Sequence, residues 1–584
     1  MAILAFVGLP LALCGCAYYP TYDSVAGTAD RVAQGAGEAV QADRQSRLQR
    51  AARQVQTPGD QEERIRQELR AKYPDLNKLS LADTLRIATA YNRDLATARD
   101  ANTLLALSYL QARHLFDPRL SGTVSFLESW AKDTATGADT ATRSFASTGT
   151  LGVDYLTMLG TRIRTTLNSS NTHTETVSPT TIVESITPTG TTTTTTTATT
   201  SATTTSTANA SSGNITVSQP LLRGAGRLVT REPLTQAERN LVYGLRTFEL
   251  YRQDFTINTT NSFYGLVRDK QVITNSEKLF EQADFLYQRA QSLYKTNRAK
   301  ELDVLQAEQQ RLQAENGLRD AQESYKDALL AFKIFLGVPD DVTLDIRTDE
   351  IPELRKVQVA AEKAVQLALE NRLDLSTASE QVADAERGVD IAHNGQLPDF
   401  ALALAAGSNA ATGARFPSQV FNNHSASAGV TFTAPLDRLD QHVAAEQARL
   451  NLDKVQRAYK LYRDSLASDV RRQLRNLLRI EQSMAVQLKI VTASQKRLDN
   501  AEYLFHQGTR TSLDVVQAQQ DLLSARNQDI QFVVDHANAR LSFLRALGLL
   551  VVNAEGLAQA SDLFGPPEKR ELPVKADKVP EEQP

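Results

Sequence analysis

Two six-residue stretches of this chain, Leu302-Asp303-Val304-Leu305-Gln306-Ala307 and Leu513-Asp514-Val515-Val516-Gln517-Ala518, differ at a single position and lie 211 residues apart. The same offset carries Arg246, Leu250, Tyr251 and Arg252 onto Arg457, Leu461, Tyr462 and Arg463, and Leu336-Gly337 onto Leu547-Gly548. A second, longer offset holds nearer the start of each copy, where Asp94-Leu95 falls on Asp374-Leu375, Thr97-Ala98 on Thr377-Ala378, and Pro118 on Pro398. The excess of the longer offset over the shorter is extra chain inside the first copy. A duplicated unit of this size implies one architecture assembled from two like halves rather than several unrelated domains.

The only long-range route left open through a lipid bilayer is a closed barrel. Past the N-terminus no apolar stretch approaches the roughly 18 residues a spanning helix needs. Charged residues make up 23% and aromatics 6% of the chain, and the mean hydropathy is −0.34, a composition that suits long solvated helices better than a thick core. The net charge of −4, with no Lys/Arg-rich run, argues against a nucleic-acid partner. Both cysteines lie in the first sixteen residues, where the apolar run Ala2 to Leu13 leads into Leu13-Cys14-Gly15-Cys16. That run reads as a signal peptide, residues 1–15, although no Lys or Arg precedes it, which leaves the true translation start open. After cleavage one cysteine would remain, and no intramolecular disulfide could form.

Residues 16–78 read as an exported, partly helical extension. Helical periodicity then runs from Leu81 to about Leu115 and again from Val359 to about Ala392, each ending near a proline, Pro118 or Pro398. Beyond each proline the period changes to two. Phe400, Leu402 and Leu404 alternate with Ala401, Ala403 and Ala405, and Ala428, Val430 and Phe432 precede Pro435, so this region is expected to be a hairpin of membrane-crossing strands. In the first copy Leu120 to Phe126 should open the equivalent hairpin and Ile215 to Leu221, around Pro220, should close it. The segment between, 127–213, is expected as a loop that is mobile through its Thr-rich run, Thr189 to Thr207, because Thr, Ser and Ala at such density bury too little to fold. Leu151 to Leu167 holds two further strand-like pieces around Gly160 whose place, within the sheet or above it, the sequence leaves open.

After Pro220 and Pro435 come long helical arms, interrupted only at Asn297 and Gly508, which are related by the same shorter offset. Asn and Gly tolerate the left-handed backbone of a tight turn, so each stretch should be an antiparallel helical hairpin. Val470, Leu477, Met484, Val491, Leu498 and Phe505 recur every seven residues, and Leu266, Ile273, Phe280, Tyr287 and Tyr294 repeat the phase in the first copy. A sustained heptad predicts side-by-side helix packing.

The Leu-x-Gly-Cys ending, the duplicated helix, hairpin and long helical hairpin, and the string Phe505-x-x-Gly508-Thr509-Arg510-Thr511-x-x-Asp514-Val515 resemble the outer membrane efflux protein family, the TolC-like outer membrane factors. The resemblance runs from about Leu79 to Leu550. It implies a mixed α and β membrane protein: a homotrimer with four strands per chain, closing a 12-stranded outer-membrane β-barrel continued by a periplasmic α-helical barrel. It implies lipidation at Cys16, as in a Gram-negative outer-membrane lipoprotein, and tip turns at Asn297 and Gly508 that meet a periplasmic adaptor (membrane fusion) protein. Arg510 matches the family's gating arginine, with Asp303 as its acidic partner, and Asp514 matches an inward acid at the constriction. Phe505 replaces a gating tyrosine, and Gln517 stands where a second acid would be. Pro118, Pro220, Pro398 and Pro435 would mark the passages from helix to barrel.

The domain plan is then a first repeat at 79–347, a linker at 348–356, a second repeat at 357–552 and a flexible tail at 553–584. Asp303, Arg510 and Asp514 have a plainer reading as well, since acids just past a turn cap the helix that follows. Leu222-Arg223-Gly224-Ala225-Gly226 follows a strand and opens a helix, yet lacks the third glycine and the Lys-Ser/Thr ending of a phosphate loop. The histidines form no metal-ligating pattern and no nucleophile motif is present, so the expectation is a non-enzyme without cofactor or metal. The resulting function is the exit duct of a tripartite efflux system, working with an inner-membrane transporter of the RND or ABC type and passing small molecules passively. The alternatives are the exit component of a type I protein secretion system, and a lipid-tethered periplasmic coiled-coil scaffold without a pore.

Overall fold

The computed structural model describes residues 58–565, apart from 74–75, 134–139, 184–196, 299, 348–351, 353, 411–420, 508, 554–555 and 557–562. The expected signal, Cys16, Gly508 and the tail beyond 565 lie outside the described residues. The chain runs α1 (Pro58–Lys72), α2 (Leu81–Tyr91), α3 (Arg93–His114), then four strands, β1 (Arg119–Asp133), β2 (Thr140–Leu156), β3 (Arg162–Val183) and β4 (Thr197–Pro220). Helices α4 (Arg227–Lys295), α5 (Glu301–Leu336), α6 (Ala361–Asn371) and α7 (Leu373–Gly395) follow. Strands β5 (Asp399–Ala410) and β6 (Phe421–Thr433) and helices α8 (Leu439–His506) and α9 (Ser512–Ala546) complete the order. The two sequence offsets recur in these boundaries. The longer one lays both ends of α2 on both ends of α6, and the shorter one lays the end of α4 on that of α8 and the start of α5 on that of α9.

One compact unit holds Ala106–Asn240 and Val382–Val455. Its centre is a single six-stranded antiparallel sheet in the order β1-β2-β3-β4-β5-β6. Three expectations are corrected here. The first copy contributes four strands rather than two, so that a chain supplies six and not four. β1 pairs with β2, not with β4. The segment 127–213 is not a loop: Thr197–Thr207, the latter part of the run expected to be mobile, is strand β4, paired with Val183–His173 of β3. Composition is a poor guide here because a strand in a ladder needs partners for its N–H and C=O groups, not a buried core. β-branched Thr favours that conformation. The strand-like pieces around Gly160 are the facing ends of β2 and β3.

The second unit holds Gln34–Leu105, Leu241–Gln381 and Gln456–Pro584. Helices α2 and α3 were expected as one, as were α6 and α7; each pair breaks at one residue. Asn92 leaves the helical region (φ −64°, ψ 128°), its Oδ1 accepts from the Leu95 amide (2.8 Å) and its Nδ2 donates to the Phe335 carbonyl (2.5 Å). Arg372 (φ −71°, ψ 119°), its counterpart under the longer offset, donates through Nε to Asp374 (2.9 Å) and through an Nη to the Ala546 carbonyl (3.5 Å). Phe335 and Ala546 are themselves related by the shorter offset, so both copies tie the break to the end of the last helix. Just past those ends Gly337 (φ 75°) and Gly548 (φ 71°) are left-handed, and a Cβ there would collide with the Tyr91 carbonyl and the Asn371 backbone respectively. Only glycine meets both demands.

The long arms are held by the heptad seam of α8. Val470 and Leu477 are fully buried, Met484, Val491 and Leu498 nearly so, and Phe505 packs against the last of these clusters with Val515 and Leu522 of α9. The equivalent seam of α4 departs from expectation. Leu266 is buried, but Ile273, Phe280 and Tyr287 are half-buried and Tyr294 is 44% exposed, while Ala283, Leu286 and Ala290 carry the buried stripe. A straight helix drifts about 20° per heptad, enough over several repeats to pass the contact to neighbouring residues. Emptying the α8 seam should be costly: Leu477→Ala is expected to destabilise the fold by about 2–5 kcal/mol, and Leu477→Met by less than about 1.5 kcal/mol, measured by denaturant unfolding of the purified chain.

Candidate functional site

Cross-strand partners share a face of a sheet, so the pairing registers assign every strand residue to one of two surfaces. One row runs Leu120, Val153, Thr165, Ile215, Ala406 and Ala426 from β1 to β6. The next row toward the helices runs Tyr155, Ile163, Val217, Leu404 and Ala428, and beyond it lie Leu402 opposite Val430 and Phe400 opposite Phe432. On the other side come Leu151 opposite Leu167, then Val124 and Phe126. This face is apolar and uncovered: Leu120 is 80%, Val124 71%, Phe126 70% and Phe432 62% exposed.

Aromatic side chains bound the apolar surface at both ends. Phe400 and Phe432 meet edge to face, 6.3 Å between centroids, near the helices, and Phe126 stacks on Phe145 at 6.4 Å at the far end, with Trp130 beyond. From Tyr155 to Phe145 along β2 is about 34 Å at ~3.4 Å per residue. Strands tilted at ~45° bring that to roughly 24 Å, the height of the lipid-facing band of a β-barrel. Charge appears at the level of these aromatics, where Glu128 is the cross-strand partner of Phe145 and Arg143 that of Trp130, and the two charged side chains form an ion pair (2.6 Å). β3 and β4 continue beyond that level as a Ser/Thr-rich ribbon.

The opposite face is mainly polar or small, with Leu127 and Leu156 as its large apolar residues among those described. Ser121, Gly152, Thr166, Asn214, Gly407 and Ser425 form one row, and Thr123, Thr150, Asn168, Ser212, Asn409 and Asn423 the next. Its fixed charges gather near the helices, where Asp154 accepts from Arg164 (2.8 Å) and pairs with Arg162 (3.8 Å). Such a surface suits contact with water.

Each proline assigned to a passage between helix and sheet stands at a strand end: Pro118 and Pro398 immediately before β1 and β5, Pro220 as the last residue of β4, and Pro435 two residues after β6. The glycines after Pro220 serve a turn and leave no cradle for phosphate. Gly224 (φ 75°) donates its amide to Asn394 (2.8 Å), and the amides of Leu221 and Arg223 donate to the carbonyls of Phe400 (2.7 Å) and Pro398 (3.3 Å). The turn between β2 and β3 packs there too, since a Cβ on Gly160 (φ 92°) would approach Thr230 and the Gly224 carbonyl.

At the arm turns Asn297 has φ 56°, the one left-handed non-glycine among the described residues, and its amide donates to the Tyr294 carbonyl (2.9 Å). The acids act locally. The Asp303 carboxylate accepts from the Lys300 amide (3.1 Å) at the start of α5, and Asp514 accepts from the Thr511 amide (3.1 Å) and hydroxyl (3.0 Å) at the start of α9. Arg510 pairs with Asp514 (3.4 Å), one turn along the same segment, and no bond from it to Asp303 is formed among the described residues. Phe505 lies beneath the Arg289 guanidinium, 4.7 Å from its ring centroid. Arg289 escaped the sequence reading because one Arg on a helix with many charges carries no signal until the turn folds it over a ring.

Known proteins resemble this chain in part of its sequence and in its fold. Residues 364–549 match the outer membrane efflux protein family. The pyoverdine export outer membrane protein OpmQ of Pseudomonas putida is 26% identical over 214 residues, 36% of this chain and 44% of that one, so the alignment spans less than half of its length. Among solved structures, CusC is similar with a TM-score of 0.57 at 14% identity, over 80% of this chain and 92% of that one. The CmeC outer membrane channel of Campylobacter jejuni gives 0.57 at 14% identity over 84% and 89%, and VceC of Vibrio cholerae 0.56 at 15% over 80% and 96%. Residues 364–549 thus carry the sequence pattern of the outer membrane efflux proteins, and the chain shares the fold of these channel structures.

The hydrogen bonds from Thr511, with Arg510 adding to them, hold the Asp514 carboxyl below the usual carboxylate range. A depressed carboxyl stabilises the fold fully above its unfolded value, about pH 4, and this is lost as pH falls through the lowered value. Asp514→Asn should therefore weaken amide protection in the first turn of α9 at pH 7 and match the parent once the pH has fallen below the lowered value, read by hydrogen exchange.

Proposed function

We propose that this chain is the outer-membrane exit duct of a tripartite efflux system, passing small molecules passively across the periplasm and outer membrane. The observation that carries the reading is the sheet: an uncovered apolar face about one membrane high, rimmed by aromatics, backed by a polar face. In water such a surface is a liability, and in lipid it is the requirement. A tethered scaffold without a pore has no use for it. The match of residues 364–549 to the outer membrane efflux proteins and the relative named for pyoverdine export support efflux as the task.

In this reading three copies assemble, each with repeats at 79–347 and 357–552. Cys16 carries lipid in the outer membrane of a Gram-negative cell. The arm turns at Asn297 and Gly508 meet a periplasmic adaptor, and an inner-membrane RND or ABC transporter supplies the energy. Asp303, Arg510, Asp514 and Phe505 form the periplasmic constriction of the assembled duct. Arg510 and Asp514 are more than a third exposed, and an ion pair of that kind exchanges partners readily. Asp303 of a neighbouring copy is then a competing partner for the guanidinium.

Two measurements test this. Trp130 is the only tryptophan, 69% exposed on β1, so its fluorescence reports the apolar face directly. In vesicles it should be quenched by brominated lipid and shielded from aqueous iodide; iodide quenching as in free tryptophan would remove the membrane assignment. In planar bilayers Arg510→Ala and Asp303→Ala should each raise the conductance of the resting pore, and unchanged conductance in both would remove the gate from these residues.

A further inference from the structure

We infer that the membrane wall of this protein takes six strands from every copy, so that the three-copy duct proposed above closes an 18-stranded barrel rather than a 12-stranded one. The inference rests on that reading for the number of copies and on the registers for the number of strands.

The hairpin of β2 and β3 crosses the full height of the sheet. Its turn, Thr157 to Thr161, follows Leu156, which pairs with Arg162; Arg162 pairs with Ser218 near the end of β4, and Asp154 pairs with Arg119 at the start of β1. The turn therefore stands level with the points where the chain enters and leaves the sheet. A hairpin projecting above the membrane would place its turn or its strands elsewhere. The hairpin also carries its share of the apolar band, Leu151, Val153 and Tyr155 on β2 and Ile163 and Leu167 on β3; Val153 is in register with Leu120 of β1 and Ile163 with Val217 of β4, while Leu151 and Leu167 face each other between Gly122 and Gly213. Its other face carries Thr150 and Thr166, in the polar rows. Finally, β1 and β4 have no ladder with each other: β2 and β3 stand between them. Expelling the hairpin from the wall would leave two unpaired rows of backbone polar groups in lipid, each unsatisfied group costing several kcal/mol.

The outer edges fit a second copy of this chain. β1 and β6 are the ends of the sheet. With six strands, an even number, they run in opposite directions, so β6 of one copy beside β1 of the next makes an antiparallel ladder. Even-numbered residues of both strands, such as Leu120 and Val124 or Val430 and Phe432, lie on the apolar face, and a ladder between copies continues both faces without interruption. Neither edge is guarded: β6 has no Pro, Lys, Arg, Asp or Glu, and β1 has no charge from Leu120 to Leu127. Because barrel diameter grows roughly linearly with strand number, the wall is about 1.5-fold wider than twelve strands would make it.

The test is a strand count on the full-length trimer in lipid nanodiscs by cryo-electron microscopy, paired with thiol labelling in the same particles. Eighteen strands are expected, with β6 of each copy beside β1 of the next. Leu151→Cys and Leu167→Cys should be shielded from a membrane-impermeant maleimide by at least tenfold relative to Thr150→Cys and Thr166→Cys, which face the water-filled lumen. A trimer with twelve strands and a reactive cysteine at both Leu151 and Leu167 overturns this inference and leaves the duct intact. Particles that are not trimers overturn the duct reading as well.

Discussion

Inside a bilayer there is no water to accept a backbone N–H or to donate to a C=O, and that absence governs this molecule more than any side chain does. Six strands, four of them paired on both sides, satisfy most of these groups within one chain, and the ladders left open on β1 and β6 can be satisfied only by another strand. Given paired backbones, side chains need only choose a face. The alternation of apolar and polar rows then follows from a period of two, and the length of the apolar rows follows from the thickness of the lipid. Thr-rich sequence, useless for building a core, is well suited to this setting. It favours the strand conformation and offers small polar side chains to water.

The helical half solves a different problem. Helices of 69 and 68 residues, roughly 100 Å each at about 1.5 Å per residue, have far more surface than one chain can cover. They are held along narrow stripes, with Val470, Leu477, Met484, Val491 and Leu498 in α8 packed against partners on other helices. Each copy then repeats one locking device. A residue that interrupts the early helix, Asn92 or Arg372, reaches the carbonyls at the end of the last helix, and a left-handed glycine lets the two backbones approach. That the same device uses an amide in one copy and a guanidinium with its own carboxylate in the other shows what is being preserved. It is the hydrogen bond to an orphan helix-end carbonyl, not the residue that supplies it.

Much of this could be read from the residues. Both repeat offsets reappear in the element boundaries, the prolines stand at the strand ends, and the α8 heptads are buried along their length. β5 and β6 were legible because Phe or Leu alternates with Ala from Phe400 to Ala405 in β5 and Ala, Val and Phe recur at every second position late in β6. The readings that failed share a cause. β2, β3 and the Thr-rich part of β4 alternate Ser, Thr, Asn and Gly with few apolar residues, so their period of two carries almost no hydrophobic contrast, and only their neighbours reveal it. The breaks at Asn92 and Arg372 were hidden for a similar reason: one residue out of helical conformation leaves the periodicity on either side intact.

At the arm turns the sequence determined that Asn297 would reverse the chain and that acids would follow. Local chemistry was enough, because a left-handed turn needs Asn or Gly and a helix start favours a carboxylate. Which partner each group takes was decided only by the tertiary structure. Arg510 bonds to Asp514 within its own segment, and Arg289 covers Phe505 from the other arm. In the sheet likewise, the residues determined which side chains could face lipid and which could face water, whereas strand order and strand number were set by pairing. The physical reason is one and the same. Periodicity and capping are properties of consecutive residues, but a hydrogen-bond ladder or an ion pair between distant segments depends on distances that exist only after the chain has folded.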